Sequence, residues 1–456
     1  MKRKNRLIVL AFCVFLFFLI APLILLYSQG YRFDFDKNKV VKTGGIFIEI
    51  SNTSAEIYIN EKFVKKTGFF ANTVLIENLL PKKYNIEVKK TGFQVWQKNL
   101  EIKEKQVTKA ENILLVKQNI LFNLLEQDIE EFLVSEDEEK ILFKRIQQES
   151  WILEELIFDG QTRKTILKEK DLIELGVSLI DITESKWDSE KNRILIKTKD
   201  SKENIFYFLL DYNLAEPTLS KVNFSDEKIE NISFNPNNKN EIFYLKDQVI
   251  FKKDIELKQD ESRIFLNNII TFKATKDYII WLSTSGFIFK NDYISKTKEV
   301  LNQEPFLIEP EKKYEIESHG SRIFLLEDNA TYYVSPNQDF EKILDNVQGI
   351  KVSYDSRKAV CWNDYEIWIL EFEPSYKKVF LNRFSETIGD CLWFNPNYLA
   401  FNLGDKIRIS ETDTRDKINI FPIKELKNPK IFYNNFFESL YIFSENNLFF
   451  STSIIK

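Results

Sequence analysis

The chain has few of the residues on which most enzyme active sites depend. Among its 456 residues there are one histidine, three cysteines, one methionine and 12 glycines. The single histidine, His319, gives no support to a Ser-His-Asp triad or to a multi-histidine metal site. The glycines do not form a phosphate loop or a dinucleotide-binding fingerprint. The sequence therefore predicts a protein that is not an enzyme and that needs no cofactor or metal.

Cysteine gives no metal-binding pattern either. Cys13 lies in an apolar run, and Cys361 and Cys391 are separated by about 30 residues, which matches no metal-ligand spacing. A disulfide between the last two is possible in an oxidising compartment. We expect two separately buried thiols instead, because free cysteine is among the most buried residue types.

Charge is divided unevenly along the chain. The whole protein carries −5, residues 1–27 carry four basic and no acidic groups, and residues 28–117 carry 16 Lys and Arg against 10 Asp and Glu. The remainder therefore has a net charge of −15. Because this largest region is acidic and has no basic stripe with stacking aromatics, we expect no nucleic-acid partner.

Acidic pairs are frequent, as an acidic surface would produce. They include Asp34/Asp36, Glu130/Glu131 and Asp137/Glu138/Glu139. Glycosidases use two carboxylates whose separation in space determines the mechanism, so a glycan hydrolase or lyase is the alternative function. A calcium-binding turn at residues 34–38 is disfavoured because the full ligand pattern is absent.

A long uncharged run follows a basic cluster at the start of the chain. Residues 7–27 read LIVLAFCVFLFFLIAPLILLY, and Lys2, Arg3, Lys4 and Arg6 precede them. About 20 helical residues cross a bilayer, and basic residues remain on the cytoplasmic side. Ser28-Gln29-Gly30 would suit a signal peptidase, but the run exceeds the usual apolar region of ~7–15 residues. Residues 1–30 therefore predict an uncleaved single-pass anchor in the cell membrane, with the bulk of the chain outside the cytoplasm.

Short alternating strands follow the apolar run. Apolar and polar residues alternate in 46–50, 55–60 and 84–88, and less strictly in 96–102. Turn-like residues separate these segments, as at Asn60-Glu61-Lys62 and Leu80-Pro81-Lys82-Lys83. Period-two alternation is typical of half-buried strands, so residues 31–118 predict a small β-sandwich with a lead-in segment.

This module resembles the PEGA domain family. The resemblance rests on GGIFIEIS, AEIYINEKFV, ENLLPKKYNIEVKKTGFQVWQK and IKEKQVTKAENILL within residues 44–116. Two family positions differ: Asn52-Thr53-Ser54 precedes Ala55 where Pro and Gly are usual, and Lys82-Lys83 follows Pro81 where Gly is usual. The resemblance implies a bacterial or archaeal surface module that is usually non-catalytic and has no settled ligand.

Residues 119–456 contain a repeated pattern. In each copy a polar turn precedes a strongly apolar strand. The eight strands read KILF, RILI, EIFYL, YIIWL, RIFLL, AVCW, YLAF and SLYIF. Their spacing is close to the ~40–50 residues of a four-stranded propeller blade. Turns such as FNPN and WDSE resemble those of WD40-like or TolB-like blades. We predict a β-propeller of eight blades, with seven blades or a non-propeller β fold as alternatives.

Aromatic residues are concentrated in one part of this repeat. Trp362, Tyr365, Trp368 and Trp393-Phe394 could line a carbohydrate-binding face. Packing between blades is the interpretation that we favour, because alternate strand residues point into inter-blade cores. We therefore predict an all-β, non-enzymatic envelope protein with a binding or scaffold role, whose partner is an envelope protein or a cell-wall or surface glycan.

Overall fold

The computed structural model describes most of the chain. The described ranges are 3–52, 54–68, 71–135, 140–147, 150–157, 163–174, 181–188, 192–199, 204–211, 217–224, 229–256, 261–328, 330–335, 337–373, 376–434 and 438–455, without the side chains of 3–9, 157 and 181–183. Outside them lie the acidic run 137–139, parts of the polar turns that were predicted before the strands KILF, RILI and SLYIF (136–138, 189–191 and 435), and Thr53.

The protein forms two compact units. The first contains Met1–Leu121, Ile409–Ile423 and Thr452–Lys456, and the second contains Phe122–Arg408 and Lys424–Ser451. The domain boundaries that we predicted at residues 30 and 118 remain predictions.

Helix α1, Arg3–Ser28, opens the first unit. Its span Leu10–Ser28 has a mean hydropathy of 2.8 and is not buried against the protein. The helix ends at a glycine: Gly30 has a φ of +86° and follows Gln29, whose N–H bonds to the carbonyl of Leu25. Glycine suits this left-handed position because it has no Cβ. The helix is long and apolar enough to cross a membrane, and a signal peptide has the same properties.

The first unit also contains a hairpin and two further sheets. The hairpin pairs β1 (Tyr31–Asp34) with β2 (Lys39–Lys42). A three-stranded sheet has the order β6 (Thr73–Leu79), β3 (Gly44–Ile50), β9 (Val107–Ile113). A four-stranded sheet has the order β5 (Lys62–Lys66), β4 (Glu56–Ile59), β7 (Lys83–Lys89), β8 (Trp96–Glu101).

Alternation explains these two sheets. Ile46, Ile48 and Ile50 of β3 are fully buried, as are Ile57 and Ile86 of the four-stranded sheet. Each strand contributes every second residue to the core, as the period of two requires. The predicted strands of the small β module are confirmed.

Eight further sheets, each of four strands, are present in the described part of residues 122–451. Sheets 1 to 4 contain β11 (Ile129–Val134), β12 (Lys140–Gln147), β13 (Ser150–Ile157), β14 (Arg163–Lys168); β15 (Asp181–Trp187), β16 (Arg193–Lys199), β17 (Ile205–Asp211), β18 (Thr218–Lys221); β19 (Asn231–Phe234), β20 (Glu241–Lys246), β21 (Val249–Asp254), β22 (Arg263–Asn267); and β23 (Ile269–Ala274), β24 (Tyr278–Ser283), β25 (Ile288–Asp292), β26 (Lys298–Val300). Helix α2, Glu169–Ile173, follows sheet 1.

Sheets 5 to 8 have the same antiparallel meander, with one exception in the last. Their strands are β27 (Tyr314–His319), β28 (Arg322–Glu327), β29 (Ala330–Val334), β30 (Phe340–Asp345); β31 (Gly349–Val352), β32 (Lys358–Trp362), β33 (Glu366–Glu371), β34 (Lys377–Arg383); β35 (Ile388–Asn395), β36 (Tyr398–Leu403), β37 (Lys406–Glu411), β38 (Ile420–Glu425); and β39 (Lys430–Asn434), β40 (Ser439–Ser444), β41 (Asn447–Ser451), β10 (Phe122–Glu126). In sheet 8 the outer strand β10 comes from the beginning of the 122–451 region, whereas the other three strands come from its end.

The sheets form a closed ring. Apolar clusters join sheet 1 to 2, 2 to 3, 3 to 4, 4 to 5, 5 to 6 and 8 to 1. The first strands of sheets 6, 7 and 8 lie side by side and complete the circuit. Central strands such as β24 and β36 are buried at every position, which explains their continuous apolar sequences. This is a β-propeller of eight blades, as predicted, and the all-β fold is confirmed.

The repeated turns have a local cause. All eight predicted apolar segments are second strands of their sheets. Ser135, Asp188, Asn235 and Ser353 each directly follow a first strand, and their side-chain oxygens accept hydrogen bonds from nearby backbone N–H groups. Short oxygen-bearing side chains favour such turns because they can satisfy backbone donors locally.

Candidate functional site

The aromatic residues singled out above are mostly packing residues. Trp362 is 6% exposed and donates its indole N–H to the carbonyl of Gly389 at 2.9 Å. Trp393 is 3% exposed and donates to the carbonyl of Lys351 at 2.8 Å. Each tryptophan thus bonds to the other's sheet, and this reciprocal pair joins sheets 6 and 7. The packing interpretation is confirmed for both, and also for the buried Phe394.

Two aromatic residues of this group are less buried. Tyr365 is 44% exposed, and Trp368 is half-buried with its indole N–H on Glu366 at 3.0 Å. The ring of Trp368 meets Phe380 edge-on at 5.0 Å. They are more exposed than Trp362 and Trp393, so the group as a whole does not form one buried cluster.

The thiols and the histidine have different surroundings. Cys361 and Cys391 are free and fully buried, and burial raises the pKa of both thiols. The expectation of buried free thiols is confirmed. His319 ends β27 with a 42% exposed side chain, 4.0 Å from the carboxylate of Glu317.

The acidic pairs contact cationic or backbone groups. Glu130 and Glu131 both face the Lys144 ammonium, at 3.6 and 3.1 Å. Asp34 is 1% exposed and accepts the N–H groups of two turn residues, whereas Asp36 pairs with Lys82 at 3.1 Å. Within the described residues, no group of three or more His, Cys, Asp or Glu could hold a metal ion.

A buried carboxylate pair lies where the propeller closes. Glu126 of β10 and Glu154 of β13 both contact Arg145, and Glu126 also contacts Arg163 at 2.5 Å. Burial raises the pKa of Glu126, although both arginines oppose this shift. The two carboxylate side chains are only 4% and 9% exposed. They therefore connect sheets 8 and 1 and are not accessible to a sugar ring.

Sequence reasoning missed the most desolvated charge in the first unit. Lys98 of β8 has no exposed side-chain surface, and its ammonium lies 2.7 Å from Glu411 and 2.6 Å from the carbonyl of Asp413. Glu411 also accepts the indole N–H of Trp96 at 2.8 Å and two N–H groups of Asn419. We call Trp96, Lys98, Glu411, Asp413 and Asn419 the Lys98 clamp.

The same segment covers the free edge of β8. Asn419 accepts the N–H of Gln97 and donates to its carbonyl, and Asp416 accepts the N–H of Asn99 at 2.7 Å. An edge strand exposes unpaired backbone groups, which otherwise invite pairing with another chain. Side chains of residues 411–419 satisfy these groups in place of a neighbouring strand.

Asp413 is held by a second cation. Arg415 makes a bidentate contact with Asp413 and also donates to the carbonyl of Lys109 at 2.6 Å. Burial would raise the pKa of Asp413, but hydrogen bonds from Arg415 outweigh it and lower the pKa to about 2. The carboxylate is therefore ionised at neutral pH and saturated with donors, which suits a structural role.

The clamp left a partial signal in the sequence. In β8 the residues Trp96, Lys98 and Leu100 are buried, and the residues between them are exposed. Lys98 therefore occupies an inward position, and it is the reason that alternation in 96–102 was imperfect. Its partner, Glu411, lies more than 300 residues away, and nothing local in the sequence identifies it.

No family model matches the chain, and no curated protein matches it. Among solved structures, the β-propeller domain of Cps50 (Swd1) from Myceliophteria thermophila has 10% identity over 74% of this chain and 98% of that chain, with a TM-score of 0.39. A KlHsv2 variant with one loop replaced has 11% identity, coverages of 67% and 100%, and a TM-score of 0.40. The computationally designed Ika8 protein has 11% identity, coverages of 72% and 96%, and a TM-score of 0.42.

Proposed function

We propose that this protein is a non-enzymatic, single-pass membrane protein of the cell envelope, whose propeller binds a partner outside the cytoplasm. The observation that carries the proposal is the apolar helix α1, whose span Leu10–Ser28 is not buried against the protein. A core helix would be buried, whereas lipid is a solvent in which an exposed apolar surface is stable. The basic residues before the helix favour a cytoplasmic N-terminus.

The propeller is the part that we assign to binding. Closure of the ring leaves free turns and loops at its two ends, and propellers commonly use such ends for recognition. The first unit, with its PEGA-like sequence, serves in this proposal as a spacer or wall-adjacent adaptor. An envelope protein or a cell-wall or surface glycan is the proposed partner, because the anchor places the protein among these molecules.

Topology is tested on the full chain. A reporter fused after Lys456 is expected to be active only outside the cytoplasm, and the purified protein is expected to retain the apolar helix. A mature N-terminus at Tyr31 would mean that the helix is a cleaved signal peptide. Reporter activity in the cytoplasm would contradict the proposed location altogether.

Binding without turnover is tested with purified cell-wall fragments. The detergent-solubilised protein should sediment with them and should leave their mass and sugar composition unchanged. Release of soluble sugars, lost when one carboxylate pair such as Glu130 and Glu131 is changed to glutamine, would favour the glycan hydrolase or lyase instead. Sugar release that continues in that variant would exclude Glu130 and Glu131 as the catalytic pair, and loss of the release on further purification would assign it to a contaminating hydrolase.

A further inference from the structure

The hairpin formed by β1 and β2, residues 31–42, has one exposed apolar face. Phe33 pairs with Val40 across the two strands, and the side chains are 46% and 58% exposed. Phe35 lies in the connecting turn, is 81% exposed, and meets the Phe33 ring edge-on at 5.0 Å. Three adjoining large apolar side chains in water form the kind of patch that marks an interaction site.

The opposite face of the hairpin is held against the protein. Asp34 and Val41 are 1% and 3% exposed, as alternation along the strands requires. Asp34 fixes the turn by accepting the N–H groups of Asp36 and Lys37, and the Lys37 ammonium donates to the carbonyl of Pro81 at 3.2 Å. The apolar face therefore has a fixed direction within the first unit.

The hairpin begins immediately after the apolar helix. Only two residues separate Ser28 from Tyr31, a path of at most about 11 Å. The Arg32 guanidinium lies over the Tyr27 ring, 3.3 Å from its centre, and donates to the Tyr27 carbonyl at 2.6 Å. Because the headgroup layer on each side of a bilayer is about 5–8 Å thick, a spanning helix brings the start of the hairpin to that layer.

The charge of the hairpin suits an anionic lipid surface. Residues 31–42 contain four basic side chains and two acidic ones, and one of the acids, Asp34, is buried. Basic side chains beside exposed aromatic residues are the composition of segments that lie in the membrane interface. This charge, together with direct continuity with the helix, favours lipid over a second copy of the chain as the occupant.

We propose that the hairpin lies on the extracytoplasmic surface of the bilayer that α1 crosses, with Phe33, Phe35 and Val40 in an anionic headgroup layer. The inference rests on the proposed membrane anchor and adds a second contact beyond it. The hairpin then fixes the orientation of the first unit at the membrane, because a helix alone would leave that unit free to turn about a short connection.

The test places one spin label at a time on the full chain in vesicles that contain phosphatidylglycerol. The background variant is Cys13→Ala, since Cys361 and Cys391 are buried and react slowly. Labels are introduced by Phe35→Cys and Phe33→Cys, by Lys39→Cys on the same hairpin, by Leu16→Cys in the helix, and by Ile294→Cys in an 88% exposed turn of the propeller. Collision with oxygen reports lipid, and collision with a water-soluble nickel complex reports water.

We expect nickel collision at residues 33 and 35 to be about threefold or more below that at residue 294, with higher oxygen collision, as for interfacial side chains. The label at residue 39, which pairs with Asp34 on the opposite face of the hairpin, should show the same nickel collision as the label at residue 294. If the hairpin were only close to the membrane, labels on both of its faces would be affected equally. Water-like values at 33 and 35 with a lipid-exposed residue 16 would overturn this inference and leave the anchor intact. Water-like values at residue 16 would overturn both. Protection of residue 35 in detergent that rises with protein concentration would assign the face to a second copy and overturn the lipid assignment.

Discussion

The Lys98 clamp of the first unit and the contacts between sheets 5 to 7 of the second unit are stabilised by different interactions. In the first unit, the buried interior of the Lys98 clamp holds an ion pair and several charge-assisted hydrogen bonds. In the second unit, apolar clusters join most neighbouring sheets, and Trp362 and Trp393 add neutral hydrogen bonds. Its buried carboxylates, Glu126 and Glu154, lie where sheets 8 and 1 meet. Apolar contacts tolerate exchange of similar side chains. Loss of one partner of a buried ion pair is costly, so a substitution in the Lys98 clamp should destabilise the protein more than an exchange of similar apolar side chains between the sheets of the second unit.

The largest expected effect is that of Glu411→Leu. The substitution leaves the Lys98 ammonium buried without its main counter-charge, and loss of one partner of a buried pair costs about 3–5 kcal/mol. Hydrogen exchange of β8 amides in the detergent-solubilised full chain measures the free energy of opening. Asp36→Ala, which breaks the exposed pair with Lys82, should cost at most about 1 kcal/mol.

The double variant Lys98→Met with Glu411→Leu separates charge from packing. Replacing a buried pair by apolar residues of similar volume is often close to neutral, so most of the lost stability should return. A double variant as unstable as Glu411→Leu alone would show that the clamp acts through its hydrogen bonds to Asn419 and Trp96 and not through charge pairing.

The next effect is a loss of stability in acid that depends on Asp413. Its pKa in the folded protein is about 2, against about 3.9 in an unfolded chain. Because the folded pKa is the lower one, this carboxylate stabilises the fold above about pH 4, and the contribution of about 2 kcal/mol is lost progressively as the pH falls through about 2. Asp413→Asn should be less stable than the wild type at pH 7 and equally stable near pH 2, as measured by β8 hydrogen exchange.

Glu126 in the second unit provides a control of opposite sign. Burial raises its pKa, so the folded state binds the proton more tightly than the unfolded chain does. The protonated Glu126 carboxyl group therefore stabilises the fold fully below the ordinary glutamate pKa of 4.5, and this stabilisation is lost as the pH rises through the pKa of the folded protein. The difference in stability between the wild type and Glu126→Gln should therefore shift against the wild type as the pH rises above 4.5. If the stability contributions of Asp413 and Glu126 changed with pH in the same direction, the proposed difference between the two sites would be wrong.

The smallest effect is expected for Trp393→Phe between sheets 6 and 7. The variant keeps an aromatic ring but leaves the carbonyl of Lys351 without its indole donor, which costs about 1–2 kcal/mol. Urea unfolding followed by the fluorescence of the remaining tryptophans measures this loss. Trp368→Phe, at a half-buried position on Glu366, should cost clearly less. If both variants lost the same free energy of unfolding, the hydrogen bonds of Trp362 and Trp393 would contribute nothing to stability beyond the packing of their rings.

Much of the fold could be predicted from sequence because its signals are local. Alternation in Ile46–Ile50 and the continuous apolar run of β36 follow directly from which faces of a strand are buried. The turn residue Asp188 is likewise recognisable, since it accepts the backbone N–H groups of Asn192 and Arg193, four and five residues further along the chain. The eight repeats, and with them the number of blades, could therefore be counted along the chain.

The candidate sites were less predictable. Glu126 and Glu154, which share Arg145, are far apart in the sequence. Glu130 and Glu131, which are adjacent in the sequence, both form ion pairs with Lys144. The exposed face of Phe33 and Phe35 was also missed, because alternation indicates two faces of a hairpin and does not say which of them the protein covers.

The sequence by itself determined an apolar helix of membrane-spanning length, strands of period two, and eight repeats with polar turns. Each of these depends on backbone geometry over a few residues. Only the tertiary structure decided that β10 closes the ring against β41, that Lys98 meets Glu411, and that the hairpin presents Phe33 outward. These contacts join residues far apart in the chain or depend on what covers a surface, and their energy exists only once the intervening strands are in place.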